Sequence, residues 1–145
     1  MAHIEEFNRV VKNAESWINE VAEEMKTDNK TAALHATRAT LQALRDRLPA
    51  NQAAHVGAQL PLLIAGYFYE GWKPESTPTK ERSPEEFMEK VQANIDNLGH
   101  PLKAEDVATP VFRVLAAKIS EGESRDIQNA LPEKLRELWV ASAEA

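Results

Sequence analysis

The feature that most constrains this 145-residue chain is an order of helix signals that occurs twice. In the first half Glu5-Glu6-Phe7 opens a helix, a Leu-rich helix closes at Leu48, and Leu60-Pro61 introduces an apolar segment. In the second half Glu85-Glu86-Phe87, Ile119 and Leu131-Pro132 take those places. The later landmarks keep an offset of 71 residues, from 48 to 119 and from 60 to 131, whereas the opening motif is offset by 80, so the first half carries nine extra residues. Self-similarity on this scale fixes architecture before any single residue is considered. The expectation is two tandem four-helix units related by internal duplication, residues 1–72 and 83–145, with a linker over 73–82.

Periodicity makes the elements helical. Ile4, Phe7, Val11, Ala14, Ile18, Val21 and Met25 alternate spacings of three and four, which is one stripe of a long helix. Val10 and Trp17 widen that stripe to the breadth of a core-facing surface. Leu34, Leu41, Leu44 and Leu48 line a second helix, which Pro49 breaks. Pro61 suits a first helical turn, and the segment Leu62 to Tyr69 is apolar nearly all round, so it is expected to be the most buried helix of its half. Ser83-Pro84-Glu85-Glu86 and Ser120-Glu121-Gly122-Glu123 both read as capping boxes, and Gly99 as a left-handed stop. Pro110 predicts a kink, or a helix that begins at Thr109. No segment alternates with period two, so the fold class is all-α. Glu5/Glu85, Glu6/Glu86, Phe7/Phe87, Val11/Val91 and Leu44/Leu115 are identities between the halves, and Val56/Ile127, Ile64/Leu135 and Phe68/Trp139 are conservative pairs.

Composition excludes several functions. Apolar residues at 43% and charged residues at 28% place the chain among ordinary globular proteins. A net charge of −6 argues against a nucleic-acid partner, which needs a dense cationic face. The absence of cysteine rules out disulfides, thiolate metal sites and a Cys nucleophile. The longest apolar run, Leu60 to Phe68, is too short for a membrane span, and no basic-then-apolar leader opens the chain. A cytoplasmic location, with no membrane partner, is therefore expected.

The run from Leu44 through Arg45-Asp46-Arg47-Leu48-Pro49 to Leu60-Pro61, followed by Tyr69-Glu70-Gly71-Trp72, resembles a bacterial family of unknown function, DUF2267. The second half, from Phe87 through Ile119-Ser120-Glu121-Gly122-Glu123 to Leu131-Pro132, is similar to the other half of that family. The resemblance covers nearly the whole chain. It implies a small, helical, soluble bacterial protein with an internal duplication, and it brings no catalytic residues or cofactor.

Chemistry-bearing residues are sparse. His3, His35, His55 and His100 lack the spacing of three or four that helical metal-ligand pairs use, and a zinc site needs three or four converging ligands. Glu5, Glu6, Glu20, Glu23 and Glu24 lack the histidine of an inward Glu-x-x-His unit, so they read as a solvated face. No nucleophile elbow, P-loop or dinucleotide glycine fingerprint is present, and the expectation is a chain with no enzymatic activity, metal or cofactor. Arg38, Arg45 and Arg47 form a small basic cluster able to pair with those acidic residues or to bind an anion, and the expectation is that it pairs within the chain or lies exposed. Tyr67, Phe68, Tyr69 and Trp72 cannot all face one core, because consecutive helix positions turn by about 100°. Phe68, matched by Trp139, belongs inside. Tyr67, Tyr69 and Trp72 form the candidate interaction patch, with a rival role for Tyr69 and Trp72 as an anchor that clamps the linker. The expected function is a protein-interaction or scaffold module, binding an unknown protein partner or a second copy. The alternative is a small-molecule domain with its ligand between the halves.

Overall fold

A computed structural model describes residues 4–144, so His3 and Ala145 lie outside it. The helices are α1 (Glu5–Met25), α2 (Lys30–Arg47), α3 (Ala50–Gly57), α4 (Leu62–Tyr69), α5 (Pro84–Asn97), α6 (Ala104–Lys118), α7 (Glu121–Ala130) and α8 (Glu133–Glu144). A single 3-10 turn, Pro74–Ser76, lies between α4 and α5. Among the described residues there is no strand, and the fold is all-helical.

Local chemistry sets the helix ends. Asn29 caps α2 by accepting from the Ala32 N–H at 3.0 Å, and Ser83 caps α5 by accepting from the Glu86 N–H at 3.1 Å. The Glu86 carboxylate reaches back, to the Arg82 N–H. Two left-handed residues end the first helix of each half: Lys26 at φ 59° after α1 and Gly99 at φ 72° after α5. Pro110 neither starts α6 nor delays it. The helix begins at Ala104 and runs through the buried proline, and the carbonyl deprived of its partner belongs to the solvent-exposed Asp106.

α2 is the hub. It packs on α1, α4, α5 and α6, and its inner positions Ala33, Ala36, Ala39 and Ala43 are fully buried. Small side chains there let four neighbours approach one helix closely. α1 also lies on α6, α3 meets α7, and α5, α6 and α8 pack together. One apolar core runs from Ala14 to Trp139 and draws on both halves. Phe87, Phe112 and Trp139 stack within it at centroid separations of 5.7 and 5.3 Å.

Two burial expectations are corrected. α4 is not the most buried helix of its half: Ile64 and Phe68 face inward, but Leu62 and Leu63 are exposed. An eight-residue helix at the edge of the bundle buries only the face that meets α2 and α1, whatever its composition. The α1 stripe is core-facing only from Ala14 onward, while Ile4, Phe7 and Val11 stand in solvent. Phe7 therefore does not take the structural place of Phe87, which is buried.

The 73–82 segment is strapped down rather than loose. The Thr79 N–H donates to the Asp46 carbonyl at 2.8 Å, and the Arg47 guanidinium donates to the Glu81 carbonyl at 2.6 Å, which ties the segment to the end of α2.

Candidate functional site

The exposed part of the α1 stripe and α4 meet at one groove, which Val11 and Leu63 both line. Phe7 is 62% and Leu62 72% exposed, and Ile4, Val11 and Leu63 lie between 39% and 58%. Summed over the five, these side chains expose on the order of 500 Å². Beside them a groove of about 250 Å³ runs between α1, α2 and α4. Val11, Ala14 and Ile18 line it from α1, Leu34 from α2, and Leu63 and Tyr67 from α4. Charged side chains stand at its edges, Glu15 on α1 and Lys30 at the start of α2.

Of the three aromatics predicted as one patch, Tyr69 and Trp72 stay together and Tyr67 stands apart. Tyr67 lines the groove, with the Arg38 guanidinium 4.9 Å from its ring centroid. Tyr69 points the other way, two positions on and about 200° around the helix. Its ring lies against Gly57, where any Cβ would collide with it, and its hydroxyl donates to the Ala54 carbonyl at 3.3 Å. Trp72 stacks on Tyr69 at 5.4 Å and packs half-buried against the core. Sequence reasoning missed Ile4, Phe7, Val11, Leu62 and Leu63. For Ile4, Phe7 and Val11 the signal was the length of the first helix, 21 residues against 14 in α5; for Leu62 and Leu63 there was none.

The basic cluster is consumed within the chain. Arg45 is buried and donates to the Phe68 and Glu70 carbonyls at 2.9 and 2.8 Å, closing the end of α4, while pairing with Asp46. Arg38 pairs with Glu70 at 2.7 Å. The acidic face pairs with α6 instead: Glu24 with Arg113 at 2.8 Å, and Glu20 with Lys118.

Two further polar groupings were invisible to spacing. His35 and His100 meet edge to face at 5.1 Å, and burial, then His100 and Arg38, hold the His35 imidazole below its ordinary pKa. Among the described residues no group of three His, Asp or Glu could hold a metal ion. The second grouping lies where α3 meets α7. Ser120 caps α7 by accepting from the Glu123 N–H at 3.0 Å, but the Glu123 carboxylate does not return to Ser120 as a capping box requires. It accepts instead from the Gln52 and Gln59 amides, and Gln59 accepts from the Ser120 N–H at 3.0 Å. The second capping box is thus completed by a residue from the first half of the chain.

No helix among the described residues is long and apolar enough to cross a membrane. Residues 14–138 match the family model of the uncharacterized conserved protein DUF2267. No curated protein matches the chain.

Proposed function

We propose that this chain, which belongs to the DUF2267 family, is a non-catalytic protein-interaction module whose contact surface is the α1–α4 apolar face. The carrying observation is that an amphipathic stripe continues in register beyond the core it serves, leaving Ile4, Phe7 and Val11 exposed beside a groove floored by the same stripe. Apolar surface costs free energy in water, at roughly 25 cal/mol per Å², and exposed apolar side chains gathered about a groove mark a place of contact. In this reading Tyr67 belongs to the contact surface, and Tyr69 and Trp72 hold the chain's exit from α4. A photo-crosslinking residue at position 7 or 63 should give covalent adducts of defined mass in the cells that make the protein. The same residue at the exposed position 133 serves as control, and equal yield from all three positions would refute the assignment.

A second reading, ligand binding between the halves, rests on a separate observation. Asn13, Ser16 and Trp17 of α1, Gln59, Pro61 and Lys118 line a polar cleft of about 240 Å³, and the Trp17 indole N–H is buried without a hydrogen-bond partner among the described residues. Screening small carboxylates and amides by thermal shift tests it, with Trp17→Phe as control.

The two-unit architecture belongs to the same proposal. Exchanging α1 with α5, α2 with α6, α3 with α7 and α4 with α8 leaves the set of packed helix pairs unchanged. Every buried residue of α6 has a buried counterpart 71 positions earlier in α2, from Ala33/Ala104 to Leu44/Leu115. The same offset sets Gln52 against Glu123, which bond to each other. In the first helix the burial pattern and the left-handed ends support an offset of 73, pairing Ala14, Ile18 and Ala22 with Phe87, Val91 and Ile95 and Lys26 with Gly99. The Glu-Glu-Phe match at offset 80 is then coincidental. Residues 1–77 and 78–145 expressed separately should lack cooperative unfolding and regain it on mixing; a half that unfolds cooperatively alone would refute the interlocked arrangement.

A further inference from the structure

We propose that the partner covering the α1–α4 face is a second copy of this chain, paired two-fold through antiparallel α1 helices that cross at Val11. The inference rests on the interaction reading above and names its partner.

Three observations carry it. Ile4, Val11 and Ile18 are spaced by seven, and Phe7 and Ala14 fall between them in the pattern of a coiled-coil seam. Val11 stands midway, so a two-fold axis there sets Ile4 of one copy against Ile18 of the other about 10 Å from the axis, and Phe7 near Ala14 about 5 Å from it. Ridge and groove then exchange symmetrically: the exposed residues of each copy fill the groove that the buried part of the other's stripe floors. An isologous contact requires that self-complementarity on one surface. The second observation is charge. Glu5 and Glu6 at the tip of α1, and Lys30 beside the far end of the groove, form no ion pair among the described residues. Antiparallel docking carries the acidic tip of each copy toward Lys30 of the other. The third is area. The five exposed apolar side chains, on the order of 500 Å² together, with Tyr67 and the flanking charged side chains, approach the roughly 800 Å² per partner of a standard specific interface.

Sedimentation velocity on the full chain over a concentration series should show a species near twice 16.2 kDa. Val11→Glu sets two carboxylates against each other at the axis and should weaken association by about 30-fold or more, as loss of a central anchor does. Its monomer should melt as the wild type does, because Val11 is exposed. Leu63→Lys, on a different helix, should act in the same direction and covers a failure of Val11→Glu to fold. Glu5→Lys with Glu6→Lys should weaken the pair, and adding Lys30→Glu should restore it, a rescue that only cross-copy contact produces. A wild-type chain that stays at 16.2 kDa throughout while positions 7 and 63 crosslink to another protein overturns self-pairing and leaves the interaction reading standing. A dimer that survives both Val11→Glu and Leu63→Lys overturns the pairing, and absence of crosslinks at those positions then overturns the interaction reading too.

Discussion

Glu123 is the residue at which one substitution separates two physical terms. It is 6% exposed, burial raises its pKa above the ordinary carboxylate range, and Asp126 adds to that; His55 and the two amide donors oppose it. Because the folded chain holds this proton more tightly than the unfolded one, the contribution of Glu123 to stability is greatest below the ordinary carboxylate pKa and falls as pH rises through the raised value. Glu123→Gln removes the charge and can keep both bonds. Gln59 must hold its orientation, since its oxygen serves Ser120, but the Gln52 oxygen has no other partner among the described residues and its amide can turn over to accept from the new NH₂. The variant should be at least as stable as wild type at neutral pH and should lose the wild-type decline with rising pH. Glu123→Ala strands two amide donors, of which Gln59 is exposed and Gln52 half-buried, so water recovers part of each. The loss should be about 1–2 kcal/mol, or roughly 3–8 °C in Tm for a chain of this size. Calorimetry from pH 4 to 8 reads both effects. Parallel pH profiles for wild type and Glu123→Gln, or an unshifted Tm for Glu123→Ala, would refute the burial argument.

Other consequences follow from close packing and special backbone. Gly57→Ala drives a methyl into the Tyr69 ring and should cost about 1–3 kcal/mol; the companion Tyr69→Ala should remove most of that difference, measured by urea unfolding. Arg45→Ala leaves the Phe68 and Glu70 carbonyls unpaired and the Asp46 carboxylate without its nearest cation, a loss of about 3 kcal/mol or more that an equilibrium denaturation curve would show. Lys26→Gly relieves a left-handed residue and should stabilise by about 1 kcal/mol, whereas Gly99→Ala at φ 72° should destabilise by a similar amount. If both shift stability the same way, the matched helix ends are misassigned.

Helix type and order were legible because periodicity and caps are local: the Ser83 and Ser120 caps, the stop at Gly99 and the Leu-Pro junctions stand where the residues placed them. Burial was less legible. Ile4, Phe7 and Val11 have the same spacing as Ala14, Ile18 and Val21, and only the length of the neighbouring helices decides which part of that stripe is covered. In α4 uniform apolarity concealed direction, because a segment with no polar face carries no sequence mark of which side meets solvent. The Gln59–Ser120 and His35–His100 meetings join residues more than 60 positions apart, and nothing in either local pattern points to the other.

The bond between the Ser120 N–H and the Gln59 side chain gives the molecule a built-in gauge. Most protected amides in a helical protein report the fraying of their own helix. This one is held by a side chain from the opposite half at 3.0 Å, while the Glu123 N–H, three residues on, is held by the local cap. Deuterium exchange at Ser120 therefore measures separation of the α3–α4 turn from the start of α7, and exchange at Glu123 measures loosening of the α7 end. The ratio of the two rates distinguishes a molecule that opens along its internal seam from one that frays at a helix tip, without any mutation.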